Sequence, residues 1–155
     1  MLLIAHRGNC SGLNPERENT HDYIDEAIES GYDVEIDIWS WNDALWLGHD
    51  EPQYKVNGSW LDDRKDKLWI HCKNFRAMNL LVSSDLRMFF HEKESYTIIN
   101  GSPTMIWAHE LSELSCKCII PLLSMEDIDN NMGIVDSESC YGICSDYVDT
   151  LRNLV

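Results

Sequence analysis

The sequence predicts an α/β fold: a reduced TIM-like (β/α) barrel, one domain over residues 1–155, lacking several outer helices mainly in its second half. Three observations predict it. Strand-period and helix-period apolar patterns alternate through the first half of the chain. Successive strand patterns end in histidines and cations, as strand-end loops on one barrel face would. A complete barrel takes about 250 residues, and in this chain of 155 the units after His91 leave little room for helices.

Leu2-Leu3-Ile4-Ala5-His6 reads as a first buried strand, and Gly8 lets the chain turn behind His6-Arg7 at its C-terminal end. After a loop rich in Asn, Gly and Pro, Thr20 caps a helix through Ser30, with Tyr23, Ile24, Ala27 and Ile28 as its apolar stripe and Gly31 as its stop. Asp33–Trp39 then alternates β-branched residues with carboxylates, so Glu35 and Asp37 point the same way, roughly 7 Å apart. A right-handed crossover lays this strand parallel to the first and opens both C-terminal ends on one edge. Two acids on one face resist burial unless a cation sits between them, and a divalent metal is the natural occupant. The plainer alternative is an edge strand with a solvated acidic face.

A hairpin around Asn42-Asp43 returns through Leu45–Gly48 to His49-Asp50, and a polar stretch runs on to Lys67. Leu68–Lys73 is a third core strand with Trp69, His71 and Lys73 on one face. Asn74 starts a short helix with Phe75, Met78, Leu81 and Val82 inward, and Arg87–His91 is a fourth strand. Thr104–Ala108, Lys117–Ile120 and Tyr141–Ser145 are short apolar runs of the same parallel barrel, with a modest helix after Ser124. Asp146 caps a closing helix whose Tyr147, Val148, Leu151, Leu154 and Val155 face the core. The outer faces of the later strands, Ile119 and Ile143 included, need cover from loops, the closing helix or a second subunit, so a homodimer is expected.

Twelve Lys and Arg stand against 27 Asp and Glu, and the net charge of -15 repels a nucleic-acid backbone or an anionic membrane. A single phosphate is still accommodated where Arg7, Lys73 and a metal gather. Leu2–Ala5 is too short for a signal-peptide core, and no stretch has a membrane-spanning length, so a cytoplasmic protein without membrane insertion is expected. There the six cysteines read as reduced, mostly buried residues; Cys116-Lys-Cys118 lacks the partners a zinc site needs.

The predicted rim thus collects His6, Arg7, Glu35, Asp37, His49, His71, Lys73 and His91. A metal, two cations and two histidines suit a phosphodiester: positive charge neutralises the phosphorane oxygens while one imidazole takes a proton and the other gives one. His6 and His49 are that pair. GxSxG, P-loop and GxGxxG motifs are absent from the sequence, which leaves serine hydrolase, kinase and dinucleotide readings without support.

The ordered set Ala5-His6-Arg7-Gly8, Glu18-Asn19-Thr20, Glu35-Ile36-Asp37, Gly48-His49-Asp50 and Gly142–Tyr147 resembles the glycerophosphodiester phosphodiesterases, which are similar in fold to phosphatidylinositol-specific phospholipase C and sphingomyelinase D. The resemblance implies a metal-dependent hydrolase of lipid metabolism, with His6 and His49 as acid and base. Arg7 and Lys73 would hold the phosphate. Glu18 and Asn19 would sit in the first-loop part of the pocket, and His91 of the rim and Trp107 are further candidates to bind the substrate. Glu35 and Asp37 would bind a divalent cation, magnesium or calcium, with manganese as an alternative. His71 stands where the family has a third carboxylate ligand. Two other functions remain open: a non-catalytic barrel binding a phosphate or phospholipid head group, and a phosphotransferase whose product stays cyclic.

Overall fold

The computed structural model describes residues 1–137 and 139–154; Val155, expected on the closing helix, lies outside them. Apolar residues two apart produce β1 (Leu2–His6), and Thr20 opens α1 (His21–Glu29), its hydroxyl accepting from the Tyr23 amide at 3.3 Å. Gly31, at φ 95, ends that helix, and β2 (Asp33–Trp41) runs back parallel to β1 with Ile4 opposite Asp33. Asn42 and Asp43, both at positive φ, turn β2 into β3 (Ala44–Leu47), the tight reversal that Asn and Asp tolerate.

The polar stretch before Lys67 is not structureless. It holds β4 (Tyr54–Val56), paired to β3, and α2 (Gly58–Asp63), whose Leu61 is fully buried; one buried leucine leaves too faint a period to read. β5 (Leu68–Cys72) pairs parallel to β2, and α3 (Phe75–Leu81) follows, capped by Asn74. Ala77 and Leu81 are its buried residues, whereas Phe75 and Val82 are exposed, contrary to the expected inward face. Phe75 lies about 200° round the helix from Ala77.

The fourth strand shrinks to β6 (Met88–Phe89). Where a crossover helix would follow, the chain returns as β7 (Tyr96–Ile99), antiparallel to β8 (Met105–Ala108), so the expected all-parallel arrangement is broken there. Residues 90–95 are too few for a crossover, which takes a dozen or more. β9 (Cys118–Pro121) and β10 (Gly142–Ser145) restore parallel pairing, with α4 (Met125–Asn130) and α5 (Met132–Ser137) between them, and α6 (Val148–Arg152) closes the chain. The cap of α6 is Tyr147 rather than Asp146, because the Asp146 side chain turns inward to His6.

The result is an α/β fold in which one mixed sheet curls into a half-barrel, with β2, β5 and β6 on one flank and β10, β9, β8 and β7 on the other, both hung from β1. Met88 and Asn100 exchange two backbone bonds, at 3.0 and 2.8 Å, and bridge the flanks. Inside the curl pack Ile4, Trp69, Phe89, Ile99, Met105, Trp107, Ile119 and Cys144. Outside it, Val34, Ile36, Ile70 and Cys72 meet α1, α2 and α3, while Cys118, Ile120 and Ile143 meet Ile128 and Leu151 of the later helices. Ile119 therefore faces inward, and Ile143 is covered by its own chain, so neither requires a second subunit. All six cysteines are free, four of them buried. Among the described residues no helix is long and apolar enough to cross a membrane.

Candidate active site

The alternation of β2 aims Glu35 and Asp37 into the curl, and parallel pairing with β5 sets Glu35 opposite Trp69 and Asp37 opposite His71. The acids are 3% and 1% exposed, on a strand paired on both sides, so the solvated edge-strand alternative does not hold. Buried carboxylates at such positions must find partners. Asp37 has four. Its Oδ2 accepts from Asn19 Nδ2 at 3.0 Å and lies 3.1 Å from Arg7 Nε, while its Oδ1 lies 3.1 Å from His71 Nδ1 and 3.4 Å from Lys73 Nζ. Burial works against its ionisation, but the His71 hydrogen bond and the charges of Lys73 and Arg7 outweigh burial and hold Asp37 well below the usual carboxylate range.

Glu35 is the opposite case. Its Oε2 is buried with no hydrogen-bond partner among the described residues, 3.9 Å from His6 Nε2, and its Oε1 is 4.0 Å from His71 Nδ1. Burial and the neighbouring Asp37 charge push its carboxyl up. One donor atom from each of Glu35, Asp37 and His71 lies within 4.8 Å of the others, so this buried group can hold a metal ion. The orphaned Glu35 oxygen fits that use, since a cation would satisfy it. His71 Nδ1 faces Asp37 and would have to offer its lone pair to become a ligand.

Arg7 and Asn19 both adopt positive φ, 55 and 59, which non-glycine residues rarely hold without a purpose. The backbone bonds Arg7 N–H to Glu35 O at 2.9 Å and Asn19 N–H to Arg7 O at 3.1 Å lock the two loops together. Gly8, at φ 92, follows because a Cβ there would lie 2.9 Å from the Tyr23 ring. Glu18 sits behind Arg7, accepting from its Nη1 at 3.0 Å and from Asn9 Nδ2 at 2.9 Å. Arg7 Nε approaches Asp37 off the hydrogen-bond direction, so that contact is an ion pair without a hydrogen bond.

His6 closes β1, and its Nδ1 lies 2.8 Å from Asp146 Oδ1, which also accepts from Asn9 Nδ2 at 2.8 Å. Burial lowers the His6 pKa, but the Asp146 hydrogen bond and the Glu35 charge outweigh it and leave it raised. His49 reaches the same cavity from the turn after β3, where Trp39 Nε1 donates to Gly48 O at 2.7 Å. Its Nδ1 lies 2.7 Å from Asp50, and its pKa is lowered, by burial first and then by the Arg7 and Lys73 charges.

The cavity is about 470 Å³ and is lined on one side by His6, Arg7, Glu35, His49, His71 and Lys73. The rest of the lining is mostly aromatic, Phe89, Phe90, His91, Trp107 and His109, with Pro121, Leu123 and the exposed Glu92 beside them. Phe89 stacks on Trp107 at 4.5 Å and on His71 at 5.1 Å, and His91 lies parallel to His71 at 4.3 Å. Burial, with the His71, His109 and Lys73 charges, brings His91 down to about 4. Nε1 of Trp107 is buried without a hydrogen-bond partner among the described residues.

Of the residues expected from the sequence, His6, Arg7, Glu35, His49, His71, Lys73, His91 and Trp107 line one cavity, while Asp37, Glu18 and Asn19 stand behind it as supports. Sequence reading missed His109, although it ends a strand pattern as His6 and His91 do. It also missed Asn9 and the inward role of Asp146, for which no local pattern gives a sign. No family model, curated protein or solved structure matches this chain.

Proposed function

We propose that this chain is a metal-dependent phosphodiesterase with a reduced (β/α)-barrel build, acting on a small glycerophosphodiester-like substrate. One observation carries the reading. Two histidines from different strand ends, each paired with its own aspartate, face a cavity that also holds two fixed cations and an unpaired buried carboxylate. The Met88–Asn100 bridge between the flanks supports the barrel reading, and the ordered motifs support the glycerophosphodiester class.

The Asp146 contact beside His6 and the cations beside His49 favour opposite roles for the two imidazoles, since they push one pKa up and the other down. Neutral His49 takes the proton from the substrate hydroxyl as its oxygen bonds to phosphorus. The bond to the leaving alcohol breaks, and that oxygen receives the proton from charged His6. A cyclic phosphate and the free alcohol result. Water then adds to phosphorus, giving its proton to His6 while His49 returns one to the ring oxygen that leaves, which opens the ring and restores both histidines. Arg7 and Lys73 hold the non-bridging oxygens, and Asp146 fixes the ring and tautomer of His6. A cation held by Glu35, Asp37 and His71 would neutralise charge on the phosphorane. Oxygen ligands favour magnesium or calcium, and an imidazole moves the preference towards manganese.

The test is turnover of bis-p-nitrophenyl phosphate and a panel of glycerophosphodiesters with and without EDTA. EDTA-sensitive turnover is expected, and His6→Ala and His49→Ala should each lose about 10²–10⁴-fold while keeping the wild-type circular dichroism. Absence of turnover across the panel would sink the proposal. One feature favours a binding barrel instead: both Asp37 oxygens are already engaged by Arg7, Lys73, His71 and Asn19. Tight phosphomonoester binding without diester turnover would establish that second reading.

A further inference from the structure

The cavity joins a charged half to a ring-lined half through His71, and the proposed reaction leaves the rings beyond His71 unused. Beyond the cations, Phe90, His91, His109, Pro121 and Leu123 line the mouth with Phe89 and Trp107 behind them, and Glu92 adds a carboxylate there that is exposed, so solvent screens its charge. The groups that meet there are rings with matched orientations. His71, Phe89 and His91 are parallel to within 6°, Trp107 lies 19° from Phe89, and His109 meets His91 edge-on at 4.4 Å and 61°.

In this arrangement His71, Phe89, His91 and Trp107 turn faces towards one another. Ring faces are the electron-rich surfaces that attract a cation, whereas ring edges are electron-poor and prefer the face of another ring. A wall of mutually stacked rings therefore suits a flat, uncharged group better than an ammonium group. His109 is the exposed member, so its ring is free to lie against a ligand at the mouth.

We propose that this wall is the subsite for the leaving alcohol, and that the alcohol carries an uncharged planar ring, as an aryl or heteroaryl ester of phosphate does. The inference rests on the phosphodiesterase reading for the placement of phosphate between Arg7 and Lys73, and deepens it by naming the substrate class. An aryl alcohol also makes a good leaving group, because its oxygen needs less complete protonation from His6 as the bond to phosphorus breaks.

The experiment is calorimetric titration of the full chain with phenyl phosphate, cyclohexyl phosphate, phosphocholine and inorganic phosphate, followed by the same series on His109→Ala. His109 is exposed, so its removal leaves the core intact. Phenyl phosphate is expected to bind at least tenfold more tightly than phosphocholine or cyclohexyl phosphate. His109→Ala should weaken phenyl phosphate severalfold and leave inorganic phosphate unchanged. Equal or tighter binding of phosphocholine or cyclohexyl phosphate overturns the inference, as does an unchanged phenyl phosphate affinity in the variant or no binding of any of the four. Phenyl phosphate preference without turnover of any diester would uphold the subsite and remove the catalytic reading. Turnover that favours a choline ester over a phenyl ester would do the reverse.

Discussion

Replacing Asp37 by asparagine tests the charge logic of the site, because one buried carboxylate organises Arg7, Lys73, His71 and Asn19. At an effective dielectric of about 20, the Arg7 contact at 3.1 Å and the Lys73 contact at 3.4 Å are each worth roughly 5 kcal/mol before desolvation. Withdrawing the carboxylate from water takes back several kcal/mol. Asp37→Asn keeps the shape but leaves two cations facing an amide, and breaking a buried pair from one side costs about 3–5 kcal/mol. At about 2–4 °C per kcal/mol for a chain of this size, Tm should fall by roughly 6–20 °C. Urea and thermal unfolding in EDTA, followed by circular dichroism, measure it without interference from a metal.

The pH dependence of that difference has a definite sign. Asp37 is held below its ordinary pKa, so its stabilisation is complete above the unfolded value of about 3.9 and is lost as pH falls towards the folded one. The gap between wild type and Asp37→Asn should be constant from pH 7 to pH 5 and narrow by about 1 kcal/mol by pH 3. A gap under 1 kcal/mol at pH 6, or one that does not narrow in acid, would refute the account of Asp37 as the anchor of both cations.

Two further outcomes follow from the geometry. His71→Glu restores an all-oxygen donor set and should raise magnesium affinity and cut the manganese-over-magnesium preference about tenfold in calorimetric titration; an unchanged preference removes His71 from the metal group. Gly48→Ala drives a Cβ into the Glu51 carbonyl oxygen at φ 144, so the turn must shift. The expected cost is about 2 kcal/mol or more by urea unfolding.

Local chemistry determined much of the first half. Thr20, Asn42-Asp43 and Asn74 act within a turn of themselves, so the starts of α1 and α3 and the β2–β3 reversal follow from composition alone. Alternation in Asp33–Trp39 likewise determined that Glu35 and Asp37 share a face. Tertiary structure decided the rest, because the deciding partners are far apart in sequence. Asp146 binds His6 across 140 residues, Asn19 and Lys73 meet at Asp37 from separate loops, and β7 runs antiparallel because too little chain separates it from β6 for a crossover. Sequence periodicity records which face a side chain takes on its own strand. Which strand lies beside it, and so whether a buried carboxylate is met by a cation, an imidazole or nothing, is settled only when the sheet curls.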